Sequence, residues 1–190
     1  MTYETTQTDG IKLMMDEHQL ILRVLTVMRT ACLNLLKTGE YTDSDFRQMI
    51  EFVRNFADAH HHGKEEKLLF NRMTEELGPA AEKLVTHGML VEHDLGRLYI
   101  RQLEDALNRI KDDESAVLDI IANAVGYTDL LKRHIDKEDR VAYTFAERHL
   151  REETKIEIDK ACEAFELEQS EKGIQRRYNE MVKGLEAKYL

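Results

Sequence analysis

Apolar positions along the chain recur in alternating steps of three and four, the period of an α-helix seen from its packed face. From Ile11 the series Met14, His18, Ile21, Leu25, Met28, Cys32 and Leu35 forms one seam. A second runs through Phe46, Ile50, Val53, Ala57, His61, Glu65 and Leu68. The third holds Met89, His93, Gly96, Ile100, Leu103, Leu107 and Ile110. The fourth carries Val117, Ile120, Ala124, Thr128, Leu131, His134, Glu138, Val141 and Phe145. Turn signals separate them: Thr38-Gly39, then Thr42 or Ser44 as a cap; Leu77-Gly78-Pro79; and Lys111-Asp112-Asp113-Glu114-Ser115. Four long amphipathic helices with short connections predict an all-α, up-and-down antiparallel four-helix bundle.

The pattern thins at the ends. Residues 1–10 read as a polar lead-in and residues 11–149 as the bundle. Residues 150–190 read as a charged C-terminal extension of one or two helices, with sparse apolar positions such as Ile158, Phe165, Tyr178, Val182 and Leu185. That extension would lie against the bundle or join two copies of the chain as a homo-oligomer.

Composition narrows the function. With 190 residues, 42% hydrophobic and 34% charged, one proline and no tryptophan, the chain suits a single helical domain. A net charge of −10 argues against a nucleic-acid partner, which needs a basic patch. No run of uncharged apolar residues approaches the ~18 of a membrane span, and no signal-peptide pattern is present. Two cysteines, Cys32 and Cys162, make no disulfide framework. The expectation is a cytoplasmic protein with no membrane partner.

What stands out is polar. The stretch His60–Leu69 reads HHHGKEEKLL, and in it His61 precedes Glu65 by four residues, as His62 precedes Glu66. His134 and Glu138 repeat the spacing. Residues four apart on a helix stand one above the other, so such a pair can grip one ion or set a carboxylate between two. His61 and Glu65 continue an apolar stripe. His62 and Glu66 continue the polar row of Glu51, Asn55 and Asp58 and are expected to face water, as are His60, whose i+4 partner is Lys64, and His149. Gly63 in mid-helix would admit a close neighbour.

Spacing also tests the geometry. In an antiparallel bundle, residues equidistant from a turn share a level. The midpoint of His18 and His61 falls in Thr38–Glu40, that of His61 and His93 beside Gly78-Pro79, and that of His93 and His134 in the 111–115 break. The four histidines therefore form one layer, whereas His87 lies about 9 Å off level along its helix. Four imidazoles and two carboxylates, with no thiolate among them, suit two divalent ions such as iron or manganese.

The chain resembles the hemerythrin-like, or HHE cation-binding, family. The resemblance rests on HHHGKEEKLLF at His60–Phe70, VEHDLGR at Val91–Arg97, HIDKEDRVAYTF at His134–Phe145 and Glu17-His18. It implies a hemerythrin-like bundle around a non-haem di-iron centre, carboxylate- and oxo-bridged, with manganese or zinc as substitutes. It carries the ligand roles to His18, His61, Glu65, His93, His134 and Glu138. The oxygen carriers of the family have a further histidine four residues from the third-helix one. Met89 and Arg97 stand there in this chain.

The expected function is therefore binding of, or reaction with, a small oxidant (O2, NO or a peroxide), in oxidative or nitrosative stress defence or iron handling. The alternatives are a reversible O2 carrier, an oxygen sensor or an iron store without catalysis. Whether the protein is an enzyme stays open at this level. Tyr127 and Tyr143 lie near the proposed layer and could donate to a bound ligand, Glu92 could orient an imidazole, and Arg97 could pair with a carboxylate. On this reading Glu65→Ala and Glu138→Ala lower iron content and His62→Ala does not.

Overall fold

A computed structural model of the protein describes residues 9–190; apart from Asp9 and Gly10, the expected lead-in lies outside the described residues. Helix α1 (Gly10–Thr38) starts where Asp9 accepts a hydrogen bond from the Lys12 amide, and it stops at Gly39, whose φ of 73° puts it in the left-handed region. Only glycine takes that conformation at no steric cost.

The second rod comprises α2 (Asp43–Phe52), two wide segments (Val53–His62 and Glu65–Phe70) and α3 (Asn71–Leu77). Gly78 (φ 69°) breaks the chain, and Pro79 opens the third rod: α4 (Pro79–Leu84), the wide turn Val85–Met89 and α5 (Leu90–Arg109). The fourth contains α6 (Ala116–Lys137), the wide turn Glu138–Ala142 and α7 (Tyr143–His149). The wide segments are π-helical, with i→i+5 hydrogen bonds, so each takes up more residues per turn than an α-helix.

Antiparallel neighbours show in the cross-links. Along α1, Arg29 reaches Asp129 while His18 reaches Asp139. Between the second and third rods, Arg54 pairs with Glu104 and Asp58 with Arg97. By length and composition alone, α1 is the one described helix apolar enough to cross a bilayer, a test that the core helix of a bundle also passes. Arg23 and Arg29 interrupt that stretch, so it holds no uncharged run of spanning length. Its apolar stripe lies in the bundle core, with Val24, Leu25, Val27 and Met28 fully covered.

The extension forms two helices, α8 (Glu152–Glu171) and α9 (Ile174–Tyr189), turned at Gly173 (φ 71°). This hairpin lies along the groove between α1 and the second rod. At one end the Gly10 amide donates to Asp159 and Thr154 donates to Glu76. At the other Arg23 grips Glu186 through two hydrogen bonds of 2.7 and 2.6 Å, and Tyr189 donates to Asp45. Tyr178, Val182 and Leu185 enter the main core.

The interior is divided. One apolar cluster gathers Leu20–Leu35, Phe46–Ala57, Ile100–Leu107, Ile120–Ile135 and α9. A second gathers Ile11, Met14, Leu69–Met73, Ala81–Met89, Ala142–Leu150, Ile158 and Cys162. A layer of buried histidines and carboxylates separates the two.

Two glycines in helices test the packing in opposite directions. A Cβ on Gly126 would stand 2.7 Å from the Tyr99 ring, whereas one on Gly184 meets nothing within 4 Å. Gly126→Ala is expected to destabilise by about 1–3 kcal/mol through overpacking. Gly184→Ala is expected to stabilise by about 0.5–1 kcal/mol by removing a flexible residue from mid-helix. Urea unfolding of the two variants against the parent measures both.

Candidate metal centre

The dividing layer contains two sets of four donors. His18, His61, Glu65 and Glu138 offer ligand atoms all within 4.8 Å of one another, and so do His62, Glu65, His93 and His134. Glu65 is common to both, so the layer has seven side chains, all buried. They come from all four rods: one from α1, three from the second, one from the third and two from the fourth.

The residues read from sequence, His18, His61, Glu65, His93, His134 and Glu138, are brought together here. His62 joins them, which the sequence reading had placed in water. It is 5% exposed and its ring stacks on His93 with centroids 3.8 Å apart. The reason is local. The π-helical segment Val53–His62 adds residues to the turn, and each extra residue rotates the following face by about 100°. The 3.6 period assumed from sequence loses phase there, and two adjacent histidines end up flanking the bundle axis. His60 is buried as well, at 2%, outside the two sets. His87 and His149 are exposed. Gly63 admits no close neighbour: a Cβ there meets only the Asp58 carbonyl at 3.7 Å.

Around the layer stands a ring of carboxylates that sequence reasoning largely missed. The Nδ1 of His18 donates to Asp139 (2.8 Å) and that of His61 to Glu17 (2.8 Å). His93 Nδ1 donates to Glu66 (2.8 Å) and His134 Nδ1 to Glu92 (2.9 Å). Four imidazoles thus turn Nδ1 outward to a carboxylate and Nε2 inward. This fixes ring orientation and raises the basicity of the inner nitrogen, as partners of metal-bound histidines do. Glu66, expected to face water, and Glu92, offered from sequence as able to orient an imidazole, both act here as acceptors. Arg97 pairs with Glu66 and Asp58, both at 2.7 Å, which holds Glu66 against His93. Tyr143 donates to Glu65 Oε1 at 2.5 Å, leaving Oε2 free. The sequence signal for these partners was weak: an acidic residue beside a histidine, as in Glu17-His18 and Glu92-His93, is common on any helix surface.

The inner atoms of the first set are left without partners, whereas His93 and His134 turn their Nε2 atoms on each other at 3.0 Å. His18 Nε2, His61 Nε2, Glu65 Oε2 and both Glu138 oxygens are buried and make no hydrogen bond. Buried polar atoms rarely stay unpaired. Nitrogen and carboxylate donors converging from four helices are what two divalent cations require, so the residues fit such a group.

The charges bear the strain of that convergence. Burial and the neighbouring Glu138 push the Glu65 carboxyl well above the carboxylate range, whereas Glu138, despite its burial, is held well below it by His134. Burial opposes charge on His134 too, yet Glu138 and Glu92 hold it up at about 10; Asp139 and Glu138 hold His18 at about 9. His61 goes the other way, to about 4, through burial and the nearby His18. Protons on the buried histidines thus stand where cations would.

A third cluster adjoins the first set. Glu17, which accepts from His61, also accepts from His60 Nε2 (2.9 Å) and from Lys64. Glu166 of α8 accepts from Lys64 and lies 3.1 Å from His60 Nε2. Glu17, His60 and Glu166 could in principle hold an ion, but the fully buried Lys64 ammonium fills the space between the two carboxylates. It serves as the cation of that cluster and ties α8, through Glu17, to an imidazole of the layer.

Residues 9–146 match the family model described as hemerythrin HHE cation binding domain. No curated protein and no solved structure matches the chain.

Three outcomes follow from this geometry. His62→Ala is expected to lower metal content on elemental analysis, the reverse of the sequence reading. Glu17→Ala and Glu92→Ala, which free an imidazole to turn, are each expected to weaken metal affinity by about 10–100-fold in competition with a chelator. At pH 7, below the values of about 9 and 10, His18 and His134 carry protons that coordination must displace. Metal uptake is therefore expected to acidify a weakly buffered solution at pH 7. That release should shrink, and affinity rise, as pH passes 9 to 10.

Proposed function

The chain belongs to the hemerythrin HHE cation-binding domain family, and from that premise we propose that it holds two iron ions, without haem, and uses them to bind or react with a small oxidant: O2, NO or a peroxide. The observation that carries the reading is the pair of four-donor sets sharing Glu65, with the inward atoms of His18, His61, Glu65 and Glu138 unpartnered. His18, His61 and Glu138 would serve one ion, and His62, His93 and His134 the other, with Glu65 common to both. Manganese or zinc would suit the same donors less selectively, since affinity alone does not separate first-row metals.

Two redox-active ions side by side supply two electrons to an oxidant within one site. What the chain itself does is positional. Asp139, Glu17, Glu66 and Glu92 fix four imidazoles with Nε2 inward. Tyr143 orients Glu65. The two apolar clusters keep bulk water away, which strengthens every charge interaction in the layer.

His62 also favours a second reading. The further histidine that marks the family's oxygen carriers is replaced on the third helix by Met89 and Arg97. A fifth imidazole nonetheless reaches the layer, from the second rod. A five-histidine, two-carboxylate set supports reversible O2 binding as an alternative to turnover.

One experiment separates these readings. Iron is quantified in the purified protein and its absorption spectrum is followed through reduction and then addition of O2, NO or peroxide. About two irons per chain are expected. A stable adduct that reverses on removing O2 identifies a carrier; rapid oxidation or repeated consumption of peroxide or NO identifies chemistry. Glu65→Ala and Glu138→Ala are each expected to lower iron content, and a metal-free parent would overturn the proposal.

A further inference from the structure

A cavity of about 310 Å³ opens between the segment Val53–His62 and α5 and ends against His62 and His93. Val53, Ile100 and the bare backbone of Gly96 give it apolar walls. Tyr127 lines it, fully buried, and the Tyr127 hydroxyl has no hydrogen-bond partner. Burial, with the Asp58 carboxylate nearby, holds that phenol well above its ordinary value, so it stays a neutral donor. A buried hydroxyl normally finds an acceptor, and Tyr127 is one of the residues that line this cavity.

Size and charge narrow the occupant. The volume is about ten times the ~30 Å³ that a water molecule takes up in the liquid. A diatomic molecule or hydrogen peroxide would leave most of it unfilled and its walls without dispersion partners. At the mouth, Arg97 is committed to Asp58, Glu66 and Asp94, and Arg54 to Glu104. Arg101 lies at the rim, exposed, where water and salt screen it. An anion would find no free, desolvated counter-charge inside. A neutral molecule with a hydrocarbon body and one oxygen head meets both the walls and the donor.

We propose that this cavity receives a small organic hydroperoxide, its head accepting a hydrogen bond from Tyr127 Oη and its body packed against Val53 and Ile100. The proposal rests on reading the adjacent layer as a site for oxidants and names organic peroxides as its substrate class.

The test is binding of 2-phenylpropan-2-ol, the unreactive alcohol with the body of cumene hydroperoxide, to the full chain as purified and after chelation. Isothermal titration is expected to show saturable binding of about one molecule per chain in both forms, matching the single donor at the cavity end. Tyr127→Phe should weaken it about fivefold, the equivalent of one neutral hydrogen bond. Ile100→Phe, which fills the cavity, should abolish binding while metal content holds and the chain stays folded. On chelated protein, cumene hydroperoxide should displace the alcohol and hydrogen peroxide should not. No binding by the parent, undiminished binding by Ile100→Phe or by Tyr127→Phe, or equal displacement by hydrogen peroxide overturns the assignment. A protein that binds the alcohol but no metal overturns the di-iron reading alone; one that loads two irons and binds no alcohol overturns the cavity assignment alone.

Discussion

Seven ionisable side chains lie side by side in the interior of this bundle, and the rest of the structure is arranged around the cost of putting them there. An isolated charge moved from water to a low-dielectric interior costs several kcal/mol even after relaxation. Two devices offset it. On the outside, Asp139, Glu17, Glu66 and Glu92 each accept a hydrogen bond from one imidazole of the layer. On the inside, protons on His18 and His134 balance the carboxylates until cations replace them. Divalent cations on the same donors would take over the balancing role of those protons. That links the unpaired inner atoms to the family's cation binding more directly than the histidine count does.

The same layer explains why the helices depart from α geometry. Wide turns occur at Val53–His62, Glu65–Phe70, Val85–Met89 and Glu138–Ala142, in the rods that supply six of the seven donors. A regular helix shows one face with a period of 3.6 residues and cannot aim His61 and His62 at a common point. A π-helical turn broadens the inward face and delivers both. The weaker hydrogen-bond geometry of that turn is offset by a more complete donor set.

The C-terminal hairpin belongs to this economy of buried charge. It lies beyond the part of the chain that matches the family model, yet Glu166 of α8 pairs with Lys64 and stands beside His60, and both meet Glu17. Without Glu166, a fully buried ammonium would have one carboxylate instead of two. The hairpin also covers the groove between α1 and the second rod, placing Tyr178, Val182 and Leu185 in the larger core. It thus shields the His61 side of the layer, while the cavity beside Tyr127 leaves the His62 side approachable.

Much of this was legible in one dimension. The 3–4 periodicity marked four rods; Gly39, Gly78-Pro79 and the 111–115 break marked their ends, because left-handed φ and a fixed proline φ are properties of single residues. Reflection of His18, His61, His93 and His134 about those turns located the layer, because an antiparallel bundle with short connections leaves little freedom of level. The facing of His60 and His62, the ring of carboxylates and the seat of Lys64 were decided only by tertiary packing. A helical period is a local rule, and it fails where a π-turn shifts the phase. An acidic residue on a helix surface has no assigned partner until a neighbouring helix brings an imidazole to it.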